Sequence, residues 1–157
     1  MKSYYTHRGR DSDWDGQIKN DWVLLEIVDK PGVEVPAQTL PVVPELADRA
    51  MIQQLSTSPS QLDISIPGYS VRNSSNTYMT MDVGCSINLR DYVQSVVSHD
   101  CNTSVGASGA PIVAKDETGK VRIVALNVGR IVPNEDAKER NGLAITPAQW
   151  LPTLQAF

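Results

Sequence analysis

Short apolar segments separated by turn residues dominate the pattern of hydrophobic and polar positions along the chain. Segments of a few apolar residues bounded by Gly, Pro, Asn, Asp and Ser are typical of β-strands. The pattern predicts strands over 22–28, 61–66, 77–83, 96–100, 111–114, 121–128 and 143–145. Because strands account for nearly all of these elements, the sequence predicts an all-β protein.

Helices and turns are predicted at a few places between and after these strands. Thr146 followed by Pro147 matches an N-cap with proline at the first helical position, and it predicts a short C-terminal helix that packs Trp150. A helical turn is expected over 45–55. The polar, Gly-containing segment 116–120 predicts a hairpin turn. We expect an extended proline-rich connection over 31–44 and a solvated loop over 132–140.

Composition and charge narrow the function classes. Hydrophobic residues make up 41% of the chain and charged residues 20%, which is ordinary for a globular protein. No apolar run is long enough to span a bilayer, and the polar first ten residues lack the apolar region of a secretory signal. A net charge of −4 gives no basic footprint, so we expect neither nucleic acid nor an anionic membrane as partner.

The segment Gly106-Ala107-Ser108-Gly109-Ala110-Pro111 is the main candidate for chemistry. A serine attacks an acyl carbon only when its Oγ stands clear of the backbone and nearby N–H groups face the carbonyl oxygen. Small residues permit the tight turn that this requires, so the N–H groups of Gly106 and Ser108 are candidate oxyanion-hole donors. The alternative is an ordinary Gly/Ala/Ser turn between strands.

A serine nucleophile also needs a base and a carboxylate that orients it. Asp21 opens an apolar segment and precedes Ser108 by 87 positions, close to the interval of roughly ninety between aspartate and serine in the order His, Asp, Ser. The chain has two histidines, His7 and His99. In that order the histidine precedes the aspartate by about forty-five residues, so neither matches. We expect His7 to be exposed and His99 to make local hydrogen bonds.

Four stretches in this order resemble the trypsin-like (chymotrypsin-fold) serine peptidases, particularly their bacterial glutamyl-endopeptidase-like branch. They are 20–25, 66–69, 99–111 and 124–129, within a similarity that covers most of 20–146. The resemblance implies a chymotrypsin-like antiparallel β-barrel. Residues 45–157 would form a complete second barrel that carries the nucleophile. Residues 1–44 would be a remnant of the first barrel together with the connection between the two.

The resemblance also implies residue roles. Ser108 would be the nucleophile, Asp21 the carboxylate of the triad, and Gly106 a donor of the oxyanion hole with Ser108 itself. The residues expected to bind a polypeptide substrate are Asn102, Asn127, Val128 and Gly129. In the glutamyl-specific branch a histidine commonly stands where this chain has Asn127, so the side-chain specificity stays open.

The predicted function is therefore a serine endopeptidase domain that forms an acyl-enzyme on Ser108. Because the catalytic histidine is not identified, we expect negligible hydrolysis by these 157 residues alone. The alternative is a non-catalytic peptidase homologue that acts as a peptide-binding or scaffold module. The chain has no Cys-x-x-Cys and no histidine pair, and neither a metal nor another cofactor is expected. No histidine follows Ser108 or Cys101, which excludes α/β-hydrolase and papain-like catalysis.

The two cysteines, Cys85 and Cys101, bear on the compartment. We predict a disulfide between them, since such a bond would close a short loop within one half of the chain. Disulfides persist in oxidising compartments, so the prediction favours a secreted or periplasmic protein. Two buried free thiols in a cytosolic protein are the alternative. The sequence gives no oligomeric state.

Overall fold

The computed structural model describes residues 2–6, 21–26, 44–57, 63–69, 79–89, 95–130 and 142–154. The strands are β1 (Lys2–Thr6), β2 (Val23–Glu26), β3 (Glu45–Leu46), β4 (Ile64–Gly68), β5 (Thr80–Cys85), β6 (Ile87–Leu89), β7 (Val96–His99), β8 (Pro111–Lys115), β9 (Val121–Arg130) and β10 (Gly142–Ile145). The helices are α1 (Arg49–Thr57) and α2 (Pro147–Leu154).

Most strands belong to one antiparallel sheet with the order β5-β4-β8-β9-β10-β7-β6. Only Ser86 separates β5 from β6, so the chain itself joins the two ends of this order. The result is a nearly closed antiparallel barrel, in a mostly β protein with a short C-terminal helix. β3 adds to β9 in parallel, and β1 and β2 form a separate antiparallel pair.

The barrel core comes from the alternation of side chains along its strands. In β4, Ile64 and Ile66 are buried while the residue between them is half-buried, and β8 repeats the pattern with Ile112 and Ala114. Ile52 and Leu55 of α1 belong to the same buried cluster. Burying one such aliphatic side chain contributes about 1.5–3 kcal/mol, so this interior is the main source of stability.

A second, smaller cluster consists of Val96, Leu143 and Ile145. The half-buried side chains that pack against it are Trp22, Leu126, Val128 and Trp150. Trp22 therefore brings the chain beside β2 onto the barrel, and Trp150 does the same for α2. The predicted packing of Trp150 in a C-terminal helix is confirmed.

The predicted disulfide between Cys85 and Cys101 is present, with the two Cα atoms 4.9 Å apart. Cys85 ends β5, and Cys101 follows β7 by one residue. The bond therefore lies where the two ends of the sheet meet. In the chain-entropy model a crosslink closing a loop of sixteen residues contributes about 3 kcal/mol.

Local signals in the sequence account for the ends of the helices and for one turn. Asp48 caps α1, because its Oδ1 accepts a hydrogen bond from the backbone N–H of Met51 at 2.8 Å. Pro147 is the first residue of α2, as predicted. The turn expected over 116–120 is also confirmed, and Gly119 takes a left-handed backbone with φ 80°.

Several predicted elements differ from those observed. The helical turn expected over 45–55 divides into β3 and α1, because Glu45 and Leu46 pair with β9 and Asp48 then starts the helix. The pattern predicts no strand at β1 or β6, yet the structure has one at each. The expected loop over 132–140, the connection before Pro44 and His7 lie outside the described residues.

Candidate active site

Ser108 lies in the turn that connects β7 to β8, and its side chain is exposed. The flanking glycines both have left-handed backbones, with φ 95° at Gly106 and φ 80° at Gly109. Residues with a Cβ are strained in this region, so the turn requires glycine at both places. The two glycines that the sequence singled out therefore shape the backbone around the serine.

Some backbone N–H groups of this turn donate hydrogen bonds within the protein, and others do not. Ala107 donates to Ser104 O at 3.1 Å, and Ala110 donates to Ala107 O at 3.1 Å. Gly109 donates to Asn127 O at 2.7 Å. Within the part of the chain that the structure describes, the N–H groups of Gly106 and Ser108 have no acceptor. These two are the donors that the sequence analysis assigned to an oxyanion hole.

The Ser108 hydroxyl is oriented toward β9. Its Oγ donates a hydrogen bond to the carbonyl oxygen of Val128 at 3.1 Å. This is longer than the usual 2.7–2.8 Å between two oxygens, which makes it a weak bond. A weak bond at an exposed position leaves the hydroxyl free to exchange its acceptor at little cost.

Asn127 of β9 fixes the same turn from beneath. The residue is 3% exposed. Its backbone N–H donates to Ala110 O at 2.9 Å, and its backbone oxygen accepts from Gly109. Its side-chain Nδ2 donates to Ala107 O at 2.7 Å. One buried residue thus holds the turn at three points, and its side-chain amide makes its hydrogen bonds inside the protein.

His99 ends β7 and is 1% exposed. Its Nε2 lies 2.9 Å from Asn127 Oδ1. Since Asn127 Nδ2 donates to Ala107, Oδ1 is the acceptor, and the hydrogen-bond network assigns the proton to His99 Nε2. This partner lies 28 positions along the chain, so the hydrogen bond between His99 and Asn127 is a long-range contact.

The chain before β2 approaches the site through a tryptophan. Asp21 is exposed, and Trp22 packs against the same cluster as Val128, the residue that accepts the Ser108 hydroxyl. The structure therefore brings the segment that begins at Asp21 and the Ser108 turn to a common part of the barrel. Among the described residues, no hydrogen bond joins Asp21 to Ser108.

The remaining residues expected to contact a substrate lie around the turn. Asn102 is exposed, and its backbone N–H donates to Asp82 Oδ2 at 2.6 Å, which anchors the start of the loop on β5. Val128 and Gly129 are half-buried and follow Asn127 in β9. The role of Asp82 was not predicted from the sequence. The role of His99 was not predicted either. His99 lies two positions after buried Val97 in β7, so the alternation of side chains along a strand would have placed it on the same buried face.

A separate polar cluster lies at the far end of the β8–β9 hairpin. Asp116 accepts from Thr118 Oγ1 at 2.6 Å and from Arg122 Nε at 2.9 Å. These hydrogen bonds hold the pKa of Asp116 well below its ordinary value, and the bond from Thr118 has the largest effect. Asp116 in turn raises the pKa of Arg122, which also pairs with Glu45. The cluster ties β3 to the hairpin.

A cavity of about 450 Å³ lies beside this cluster, between α1 and the hairpin. Its lining includes Asp48, Met51, Gln54, Asp116 and Arg122, and none of its lining residues belongs to the Ser108 turn. The described residues contain no group of three or more His, Cys, Asp or Glu side chains that would hold a metal ion. They also include no helix with the length and apolar character needed to cross a membrane.

In chemical terms, the site offers an exposed hydroxyl beside two unengaged backbone donors, on a turn fixed by buried hydrogen bonds. Such an arrangement is suited to an anionic oxygen that develops next to an attacked carbon. Comparison of the chain with models of known protein families and with curated proteins finds no match. Support for a function therefore comes from the geometry of the site.

Proposed function

We propose that this chain supplies the nucleophile of a serine endopeptidase. Ser108 Oγ would attack a peptide carbonyl, lose its proton to a base, and form the acyl-enzyme as that proton passes to the departing amine. Water would then hydrolyse the ester. One observation supports the proposal best: the N–H groups of Gly106 and Ser108, on either side of Ala107, have no acceptor among the described residues and are left for the oxygen of the attacked carbonyl.

The base in this proposal is not His99. Its ring is buried, and its Nε2 donates to Asn127, whereas the Ser108 hydroxyl is exposed and donates to Val128. His99 is the single histidine among the described residues. We propose that the base is an imidazole that is not among these 157 residues, and that Asp21, exposed beside Trp22, orients it.

Polypeptide is the proposed substrate, lying along Val128 and Gly129 beside the Asn102 loop. Val128 and Gly129 follow Asn127 in β9 and are only half-buried, so a peptide backbone can approach them. The disulfide fits an oxidising compartment. We therefore propose a secreted or periplasmic location.

The test is covalent labelling of Ser108 by a fluorophosphonate, whose phosphoryl oxygen uses the same donors as a tetrahedral intermediate. The full chain is labelled with and without added imidazole, and the modified residue is identified by peptide mass spectrometry. We expect slow labelling without imidazole. With it, the rate should rise on the order of tenfold or more, because the added base takes the hydroxyl proton.

Ser108→Ala should abolish the label, while Ser65→Ala, at a half-buried serine of β4, should leave it unchanged. Labelling spread over several serines, or a rate at Ser108 that imidazole does not change, would contradict the proposal. Fast labelling without imidazole would keep Ser108 as nucleophile and show that the base lies within the chain.

A non-catalytic peptide-binding module is the second candidate. The hydrogen bond from Ser108 Oγ to Val128 O favours it, because a hydroxyl that is already engaged contributes to the shape of the surface rather than to chemistry. This candidate predicts no labelling at Ser108 under any condition. It also predicts that unstructured peptides shift the amide resonances of Val128 and Gly129.

A further inference from the structure

We infer that His99 is a positioning residue that aims the backbone N–H of Ser108 outward by holding Asn127 in one orientation. The inference deepens the proposed function and depends on it for its catalytic meaning. Its structural content can be tested even if Ser108 is not a nucleophile.

The first step concerns a single peptide unit. The carbonyl of Ala107 and the N–H of Ser108 belong to the same peptide bond, and in a trans peptide these two groups point in opposite directions. The described backbone contains no cis peptide. Asn127 Nδ2 draws Ala107 O toward the buried side at 2.7 Å. The N–H of Ser108 must therefore point away from that side, which agrees with its having no acceptor among the described residues.

The second step concerns the amide of Asn127. A carboxamide can rotate by half a turn and exchange its oxygen with its nitrogen. In the exchanged orientation Oδ1 would face Ala107 O, and two acceptors would meet in a buried space. The donor on His99 Nε2, 2.9 Å from Oδ1, selects the observed orientation. His99 thus decides which atom of Asn127 meets the turn.

The third step concerns what holds the imidazole. His99 pairs with Gly142 across β7 and β10. A Cβ at Gly142 would lie 2.1 Å from His99 Cε1 and 2.2 Å from Nε2. The ring therefore occupies the space that a side chain at 142 would take. The backbone of β10 thus places the ring against Asn127. The Asn127 amide then adds a second hydrogen bond to Ala107 O, which also accepts from the N–H of Ala110.

The experiment compares the full chain with His99→Leu and His99→Gln. Leucine removes the donor, whereas the Nε2 of glutamine can donate from nearly the same place. Val97→Ala is the matched control, because Val97 is also buried in β7 and its truncation destabilises the fold while the His99 donor to Asn127 is kept. Two quantities are measured: the NMR scalar coupling across the hydrogen bond from Asn127 Nδ2 to the Ala107 carbonyl carbon, and the imidazole-dependent labelling rate of Ser108.

We expect His99→Leu to abolish the coupling and to slow labelling at least tenfold, and His99→Gln to restore most of both. Val97→Ala should keep both while lowering the melting temperature. If His99→Leu does not fold, Asn127→Asp replaces it, since a carboxylate cannot donate to Ala107 O. That variant should lose the labelling while His99→Gln retains it.

The inference is overturned if the coupling survives in His99→Leu, if Val97→Ala slows labelling as much as His99→Leu does, or if Asn127→Asp labels normally. A protein that shows the coupling and its loss in His99→Leu, but never labels at Ser108, would keep the positioning role. It would remove the proposed nucleophile instead. The two failures are thereby distinguishable.

Discussion

At Gly142 the addition of a single methyl group should have a large effect on stability. An added methyl group would overlap the His99 ring, and this side chain is 1% exposed. Overpacking of this kind costs about 1–3 kcal/mol. We expect Gly142→Ala to lower the free energy of unfolding by that amount, measured by urea denaturation.

Gly129→Ala is the control for this change. Gly129 lies in β9, and a Cβ there meets no atom within 4 Å. The control should therefore change the free energy of unfolding little. Equal losses in the two variants would show that glycine itself, rather than the space taken by the imidazole, determines the stability at these positions.

For individual residues, the sequence predicted the turn around Ser108 but not the hydrogen bonds of His99 and Asn127 that hold it. Gly106 and Gly109 stand next to Ser108, so their backbone roles follow from neighbouring residues and from simple sterics. The pairing of His99 with Asn127 depends on the register of three strands and spans 28 positions. Register comes from the whole sheet, and a local pattern of residues does not contain it.

Helix α1 illustrates how one side chain fixes the start of an element. Asp48 accepts the N–H of Met51, a group that otherwise has no partner in the first turn of a helix. We expect Asp48→Ala to lower the free energy of unfolding by about 1 kcal/mol. Asp63→Ala removes the same charge from an exposed position before β4. Chemical denaturation of both variants checks the prediction, which fails if they lose equal stability.

The β8–β9 hairpin should show a dependence on pH. Hydrogen bonds from Thr118 and Arg122 lower the folded-state pKa of Asp116, so its charge adds stability above the unfolded pKa of about 4. This contribution is lost as the pH falls below that value. We expect Asp116→Asn to lower the melting temperature at pH 7, and the difference from the native chain to shrink as the pH falls below about 4.

Melting curves at several pH values provide the measurement. Glu117→Gln makes the same charge change at the neighbouring exposed residue and should alter the melting temperature little. A deficit for Asp116→Asn that is as large in acid as at neutral pH would assign the effect to lost shape or hydrogen bonding rather than to charge.

Elements with several alternating apolar residues were predictable, and the shortest ones were not. The strands expected over 96–100, 111–114, 121–128 and 143–145 correspond to β7, β8, β9 and β10. β3 has two residues and β6 has three, which is too short for any period to be visible. β3 is defined by its parallel pairing with β9, where Glu45 lies beside Arg122, and a local pattern does not contain a contact between residues 77 positions apart.

For the whole molecule, the disulfide is the covalent constraint on closure of the sheet. We expect the double substitution Cys85→Ala and Cys101→Ala to lower the free energy of unfolding by about 3 kcal/mol, since the unfolded chain regains the freedom of the closed loop. Urea denaturation measures the loss. Reduction of the disulfide in the native chain should lower the free energy of unfolding by a similar amount. An unchanged urea midpoint in both the double variant and the reduced chain would contradict the prediction.

The corner at Ser86, where β5 ends and β6 begins, affects how two copies of the protein would associate. A sheet whose terminal strands face solvent invites a strand from a second chain to extend it, which is a route to fibrils. Here β5 and β6 are consecutive, and the corner between them is fastened by sulfur. Among the described strands β5 pairs only with β4 and β6 only with β7, so the disulfide holds this corner together without backbone pairing across it. The free edge of β5, where Met81 and Val83 are exposed, is therefore the place at which a strand from a second copy would add.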